Sequence, residues 1–156
     1  MWNIMYTVTD TMHIKLQRLV SFLSQVTRGF DTIAEEIDCA NLKTAMLALS
    51  VETKQYAKEI SGQLQQFNVT APFIISDELW DRIETDIHEQ ASFSKGGEII
   101  ALCNNCELYF KKFYEDILQE YFPLSNFKDI ITYQLFASQY AFMKIRLLNA
   151  MRFNVT

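Results

Sequence analysis

Eight apolar residues, Met12, Leu16, Leu19, Leu23, Val26, Phe30, Ile33 and Ile37, recur at alternating four- and three-residue steps. With about 3.6 residues per helical turn, that spacing gathers all eight on one face of a helix about seven turns long. A single helix cannot hide such a face from water, so the chain must supply other helices to cover it. The rest of the sequence does so. A second stripe runs through Leu42, Met46, Leu49, Thr53, Tyr56, Ile60 and Phe67, weakened where Gln63 takes an inner position, and a third through Ile99, Cys103, Cys106, Phe110, Phe113, Ile117 and Tyr121. The fourth holds Phe127, Ile131, Gln134, Ser138, Ala141, Ile145 and Leu148, flanked by Leu135, Phe142 and Leu147.

Punctuation places the connections. Thr9 or Asp10 is positioned to cap the first helix, Asn41 the second, Ser125 the fourth, and Pro123 stops the third. The turn near residues 38–41 is short, so the second helix must return beside the first. Pro72 breaks any helix after the second stripe, while Ser76, followed by Asp77 and Glu78, opens a short stripe of Leu79, Ile83 and Ile87. Only two prolines and four glycines interrupt 156 residues, and no strand alternation is visible. The expectation is an all-α single domain over residues 1–156: an antiparallel four-helix bundle with helices at about 10–38, 42–67, 96–122 and 126–152 and a short extra helix at about 77–91 in the long connection. That connection either crosses the bundle end to end or turns back; periodicity does not distinguish the two.

A net charge of −5 with scattered Lys and Arg offers no basic face for a phosphate backbone, which argues against nucleic acid. No stretch approaches the roughly 20 apolar residues of a membrane span, and the start Met1-Trp2-Asn3-Ile4-Met5-Tyr6 has no signal-peptide pattern. Cys39, Cys103 and Cys106 are too few for a disulfide framework. Together these imply a soluble protein in the reducing cytoplasm.

Four segments carry a family likeness: Gly29-Phe30 with Ile33-Ala34-Glu35; Leu42-Lys43 leading to Glu52 and Tyr56-Ala57-Lys58-Glu59-Ile60; Cys103-Asn104-Asn105-Cys106-Glu107 followed by Tyr114; and Gln134. In these the chain, over roughly residues 16 to 150, resembles a bacterial ferritin-like four-helix-bundle family largely classified as of unknown function. Three positions depart from its pattern. Gln25 stands where an aspartate is usual and Phe142 where a histidine is common, and the connecting segment offers Leu79-Trp80-Asp81-Arg82 in place of the family's His-Arg-x-Trp-like motif. The resemblance implies the fold and little chemistry.

Ferritin-like di-iron proteins use carboxylates from facing helices with Glu-x-x-His pairs, all pointing inward. The candidate metal ligands here are Glu36 (or its neighbour Glu35), Glu52 with Gln55, Glu107 and Gln134, and no Glu-x-x-His occurs. Glu35 and Gln55 face away from their stripes, and Glu36 and Glu52 only flank theirs. Counted from the intervening turns, Glu36 and Glu52 sit roughly 12 Å apart along the bundle axis, and Glu107 and Gln134 roughly 10 Å. Two bridged metals lie about 4 Å apart. The expectation is therefore no metal site and no cofactor, with iron as the alternative.

Other features read as structural. Cys103 and Cys106 have C-x-x-C spacing but fall on the inner stripe, where a redox pair would be exposed at a helix N-terminus. His13 and His88 do not pair with each other and read as surface or partly buried histidines. Glu107 and Tyr114 share a column and are expected to be satisfied through a neighbouring helix; Gln134 is expected to seek Gln63 or a buried water. The apolar Trp2, Ile4, Met5 and Tyr6 would dock on the bundle or form a dimer patch. The leading functional expectation is a non-catalytic structural or interaction module, with a homodimer through an exposed helix face or an unidentified protein as partner. Two alternatives stay open: an iron-binding or iron-oxidising di-metal carboxylate protein, and a binder of a small apolar ligand.

Overall fold

The computed structural model describes residues 6–7, 10–65, 67–68 and 96–153. Four helices dominate: α1 (Asp10–Glu35), α2 (Ala40–Leu64), α3 (Gly96–Leu118) and α4 (Ser125–Phe153). Two two-residue strands, β1 (Tyr6–Thr7) and β2 (Phe67–Asn68), pair in parallel with Tyr6 opposite Phe67 and Thr7 opposite Asn68. The expected short helix at 77–91, with His88 in it, lies outside the described residues, as do Trp2, Ile4 and Met5.

The α1 stripe is buried along its whole length, from Met12 to Ile33 and on to Ile37 beyond the helix end. Each large aliphatic or aromatic side chain withdrawn from water in this way contributes roughly 1.5–3 kcal/mol. The helix closes tightly, Glu36 N donating to Ile33 O at 3.0 Å and Ile37 N to Ala34 O at 3.2 Å, i to i−3 bonds that use up carbonyls the α-ladder leaves open. The connection 36–39 is short, and α2 begins at Ala40 with Cys39 as its N-cap. The expected cap, Asn41, is instead the second residue inside the helix.

The helices form a ring in which α1 packs on α2 and α3, and α4 packs on α3 and α2. Aromatic rings fill the centre. Phe22 of α1 meets Phe110 and Phe113 of α3, each at 5.0 Å between centroids. Phe142 of α4 reaches Phe110 at 5.3 Å and Phe30, across the ring on α1, at 6.1 Å. All but the tilted Phe22–Phe113 pair are edge to face, which adds to the area term because a positive ring edge meets a negative face. At the periphery Lys15 Nζ bonds Glu120 Oε1 at 3.0 Å and the Asp116 carbonyl at 3.2 Å, tying the start of α1 to the end of α3.

Two helix ends and one flanking side chain differ from the spacing-based expectation. Helix α2 ends at Leu64, and Phe67 stands in β2, so the seventh position of the second stripe leaves the helix for the strand pairing. Helix α3 ends at Leu118, not 122: Pro123 disfavours helical geometry in the residue before it, and Tyr121, counted on the third stripe, is 82% exposed outside the helix. On α4, Leu135 and Phe142 are buried as flanking residues should be, but Leu147 faces solvent.

Candidate functional site

The polar groups with the greatest potential for chemistry lie where α2, α3 and α4 meet. Gln134 falls on the inner stripe of α4, and Tyr114 on α3 follows the half-buried Phe113 of the third stripe; Gln134 and Tyr114 are both fully buried. The Tyr114 hydroxyl donates to Gln134 Oε1 at 2.7 Å, and Gln134 Nε2 donates to the Tyr56 carbonyl of α2 at 3.4 Å. Burial pushes the Tyr114 phenol well above its ordinary range, with the neighbouring Tyr56 and Glu59 adding to the shift. The phenol is thus neutral and serves as a donor, and a neutral amide links it to a third helix. Gln134 does not pair with Gln63, as expected from sequence, and Tyr114 does not pair with Glu107.

Glu107 instead bonds Arg146 of α4, Oε1 to Nη1 at 2.8 Å, in a half-exposed pair that also brings Arg146 Nη1 to 3.3 Å from Asn104 Oδ1. It lines a shallow groove between α3 and α4 with Lys111 and Gln139. Glu52 lies on the other side of α4, in a groove of about 510 Å³ between α2 and α4. Burial raises its carboxyl above the usual range, opposed by the bond from the Tyr56 hydroxyl at 3.5 Å and by Lys144. Glu36 is exposed in the connection after α1, and Glu35 and Gln55 are exposed on their helices.

The sequence candidates therefore do not converge: Gln134 is in the core, Glu52 and Glu107 are in separate grooves, and Glu36 is at the end of a helix. Among the described residues, no group of three or more His, Cys, Asp or Glu side chains stands close enough to hold a metal ion. The donor set does not fit a two-iron centre. The interior position that would receive inward carboxylates holds a phenol and an amide, which satisfy each other and carry no charge to balance a metal.

Cys103 and Cys106 are buried cysteine thiols of the core. Burial pushes the Cys103 thiol up to about 12, outweighing the lowering by Arg146, so it is a poor nucleophile. His13 is buried, contrary to expectation, with Nε2 3.1 Å from Gln17 Nε2.

One surface escaped the sequence reading. Tyr133, Phe136, Tyr140, Met143 and Leu147 of α4 are all exposed, and they alternate at steps of three and four. The signal was present as a second stripe on the same helix, obscured because the inner stripe alone suffices to build the bundle.

Fold and interior together define a four-helix bundle with a closed, neutral, hydrogen-bonded core and an apolar outer face on its last helix. No family model, curated protein or solved structure matches the chain. None of the helices described is long and apolar enough to cross a membrane.

Proposed function

We propose that this chain is a non-catalytic helical bundle of antiparallel, ferritin-like arrangement, working as a structural or interaction module in the cytoplasm. The observation that carries the functional half is the Tyr114–Gln134–Tyr56 link: the bundle centre is closed by neutral groups that use their hydrogen bonds on one another. Three cysteines in the thiol form accord with a reducing compartment.

The arrangement is supported by how partners run along the helices. On α1, Lys15 meets Asp116 and Glu120 while the later Phe22 meets Phe110, so positions on α3 fall as those on α1 rise. On α3, Glu107 meets Arg146 and Tyr114 meets Gln134, the same opposed sense. Helices α2 and α3 then both oppose α1 and run the same way, which a connection crossing the bundle end to end requires. The parallel pairing of β2 with β1 fits, since β1 leads into α1 and the chain leaving α2 has already turned to that direction.

Elemental analysis of protein purified without chelator, followed by anaerobic ferrous titration, tests the functional half. The expected result is no stoichiometric iron or manganese, and Glu52→Gln and Glu107→Gln variants that fold as the parent does. Near-stoichiometric uptake lost in those variants would replace this reading with the di-metal one.

A further inference from the structure

We infer that the outer face of α4 is the seat of a second copy of this chain, in a two-fold dimer whose axis passes near Tyr140. The face is a ridge: Tyr133, Phe136, Tyr140, Met143, Leu147 and Met151 are between 52% and 65% exposed. At about 100° per residue these six lie within one stripe directly opposite the buried Ile131, Phe142 and Ile145. Between Tyr133 and Met151 the only charged residues are Lys144 and Arg146, and Arg146 is turned toward Glu107. A helix with apolar residues on both faces needs cover on both, and the described helices supply only one.

Three features select a second copy as the occupant. The first is area. Large side chains bury roughly 150–250 Å² each when fully covered; at the exposures seen here the six offer roughly 700 Å², close to the ~800 Å² per partner of a standard interface. The second is symmetry. About Tyr140 the ridge residues fall at offsets of −7, −4, +3, +7 and +11; the first four form a nearly palindromic set, and Met151 lies beyond it. Antiparallel packing of the ridge on itself brings Tyr133 against the partner's Leu147 and Phe136 against the partner's Met143, as an isologous interface demands. The third is shape and charge. Beside the ridge lies the α2–α4 groove, floored by Ala48, Ala137 and Ala141, with Glu52 and Glu59 on its α2 bank and Lys144 on its α4 bank. Small floor residues leave room for the partner's ridge, and the two-fold carries each Lys144 toward the other copy's glutamates.

This inference rests on reading the bundle as an interaction module, and its failure is separable from failure of that reading. Stoichiometric metal would remove the module reading and leave the dimer mass untouched, while a monomer would remove the dimer and leave the metal result untouched.

Sedimentation equilibrium of the full chain across the micromolar range tests it. The expected wild-type mass is twice that of one chain. Phe136→Glu with Met143→Glu should weaken association by about a hundredfold or more while helical circular dichroism stays unchanged. Tyr121→Glu, an equally drastic change at an exposed residue off the ridge, should leave the dimer intact. Orientation is read by mixing Tyr133→Cys and Leu147→Cys chains under mild oxidation: the mixed disulfide should form in preference to either homodimer. A wild-type monomer throughout the range overturns the inference, as does a dimer insensitive to the two glutamates. Co-sedimentation of such a monomer with phosphatidylserine/phosphatidylcholine vesicles would assign the ridge to a lipid surface instead.

Discussion

Tyr114 and Gln134 form a buried polar pair whose hydrogen-bonding groups are turned on one another. Both side chains are fully withdrawn from water, so every donor and acceptor they carry must be satisfied by protein, and the 2.7 Å phenol-to-amide bond does most of this. Removing one partner costs more than the bond is worth, because the survivor is left desolvated and unpaired. Tyr114→Phe strands Gln134 Oε1 and should lower unfolding free energy by about 1–3 kcal/mol. Gln134→Leu strands the Tyr114 hydroxyl and should cost a similar amount. The double variant replaces both by apolar groups, so its loss should fall well short of the sum of the two singles, a coupling that urea titration of the four proteins measures directly. Strict additivity would mean that the pair is not a unit.

At the scale of helices, the start of α2 is the least finished boundary. Cys39 has the extended φ −72° and ψ 116° of an N-cap, and its carbonyl already accepts from Lys43 N at 2.9 Å, yet its side chain makes no capping bond. A serine fits the same space and offers an oxygen to the first-turn amides. Cys39→Ser should therefore raise the urea midpoint, by about 1 kcal/mol in free energy and without a change in slope. Asn41 looked like the cap from sequence because its residue type suits the role; what determined the boundary was where the chain could turn after Ile37 enters the core, which is a tertiary matter. The stripes themselves were legible because burial enforces them: all eight positions of the first are buried, as are Gln134 and Ser138 on the fourth despite their polarity. The ends of α2 and α3 were less so, since Phe67 and Tyr121 continue the period while strand pairing and Pro123 override it. The partners of Gln134, Tyr114 and Glu107 were not readable at all, because which side chain on a facing helix lies level with another depends on axial register, and spacing within one helix carries no register information.

For the molecule as a whole, the open matter in the sequence was whether the long connection turns back or crosses, and the contacts of α1 with α3 and of α3 with α4 bear on it through direction. If α2 and α3 run the same way, Gln65 at the end of α2 and Ile100 near the start of α3 lie at opposite ends of the bundle. At about 1.5 Å per residue along α3, and with these diagonally placed axes about 11–14 Å apart, their separation comes to about 30 Å. A connection that turned back would hold them within about 15 Å. Both positions accept a spin label at the surface, Gln65 being exposed and Ile100 partly so, while Cys103 and Cys106 are buried and Cys39 is removed by the serine substitution. Dipolar spectroscopy on Gln65→Cys with Ile100→Cys should give a single distance distribution centred near the longer value. A short distance would reverse α3 relative to α2. It would also break the opposed pairing of Lys15 with Glu120 and Arg146 with Glu107, and with it the presentation of the α4 ridge outward from α1. Mixing the doubly labelled chain with an excess of unlabelled chain keeps the reading within one protomer, so that dimer formation through Tyr140 does not enter the measured distance.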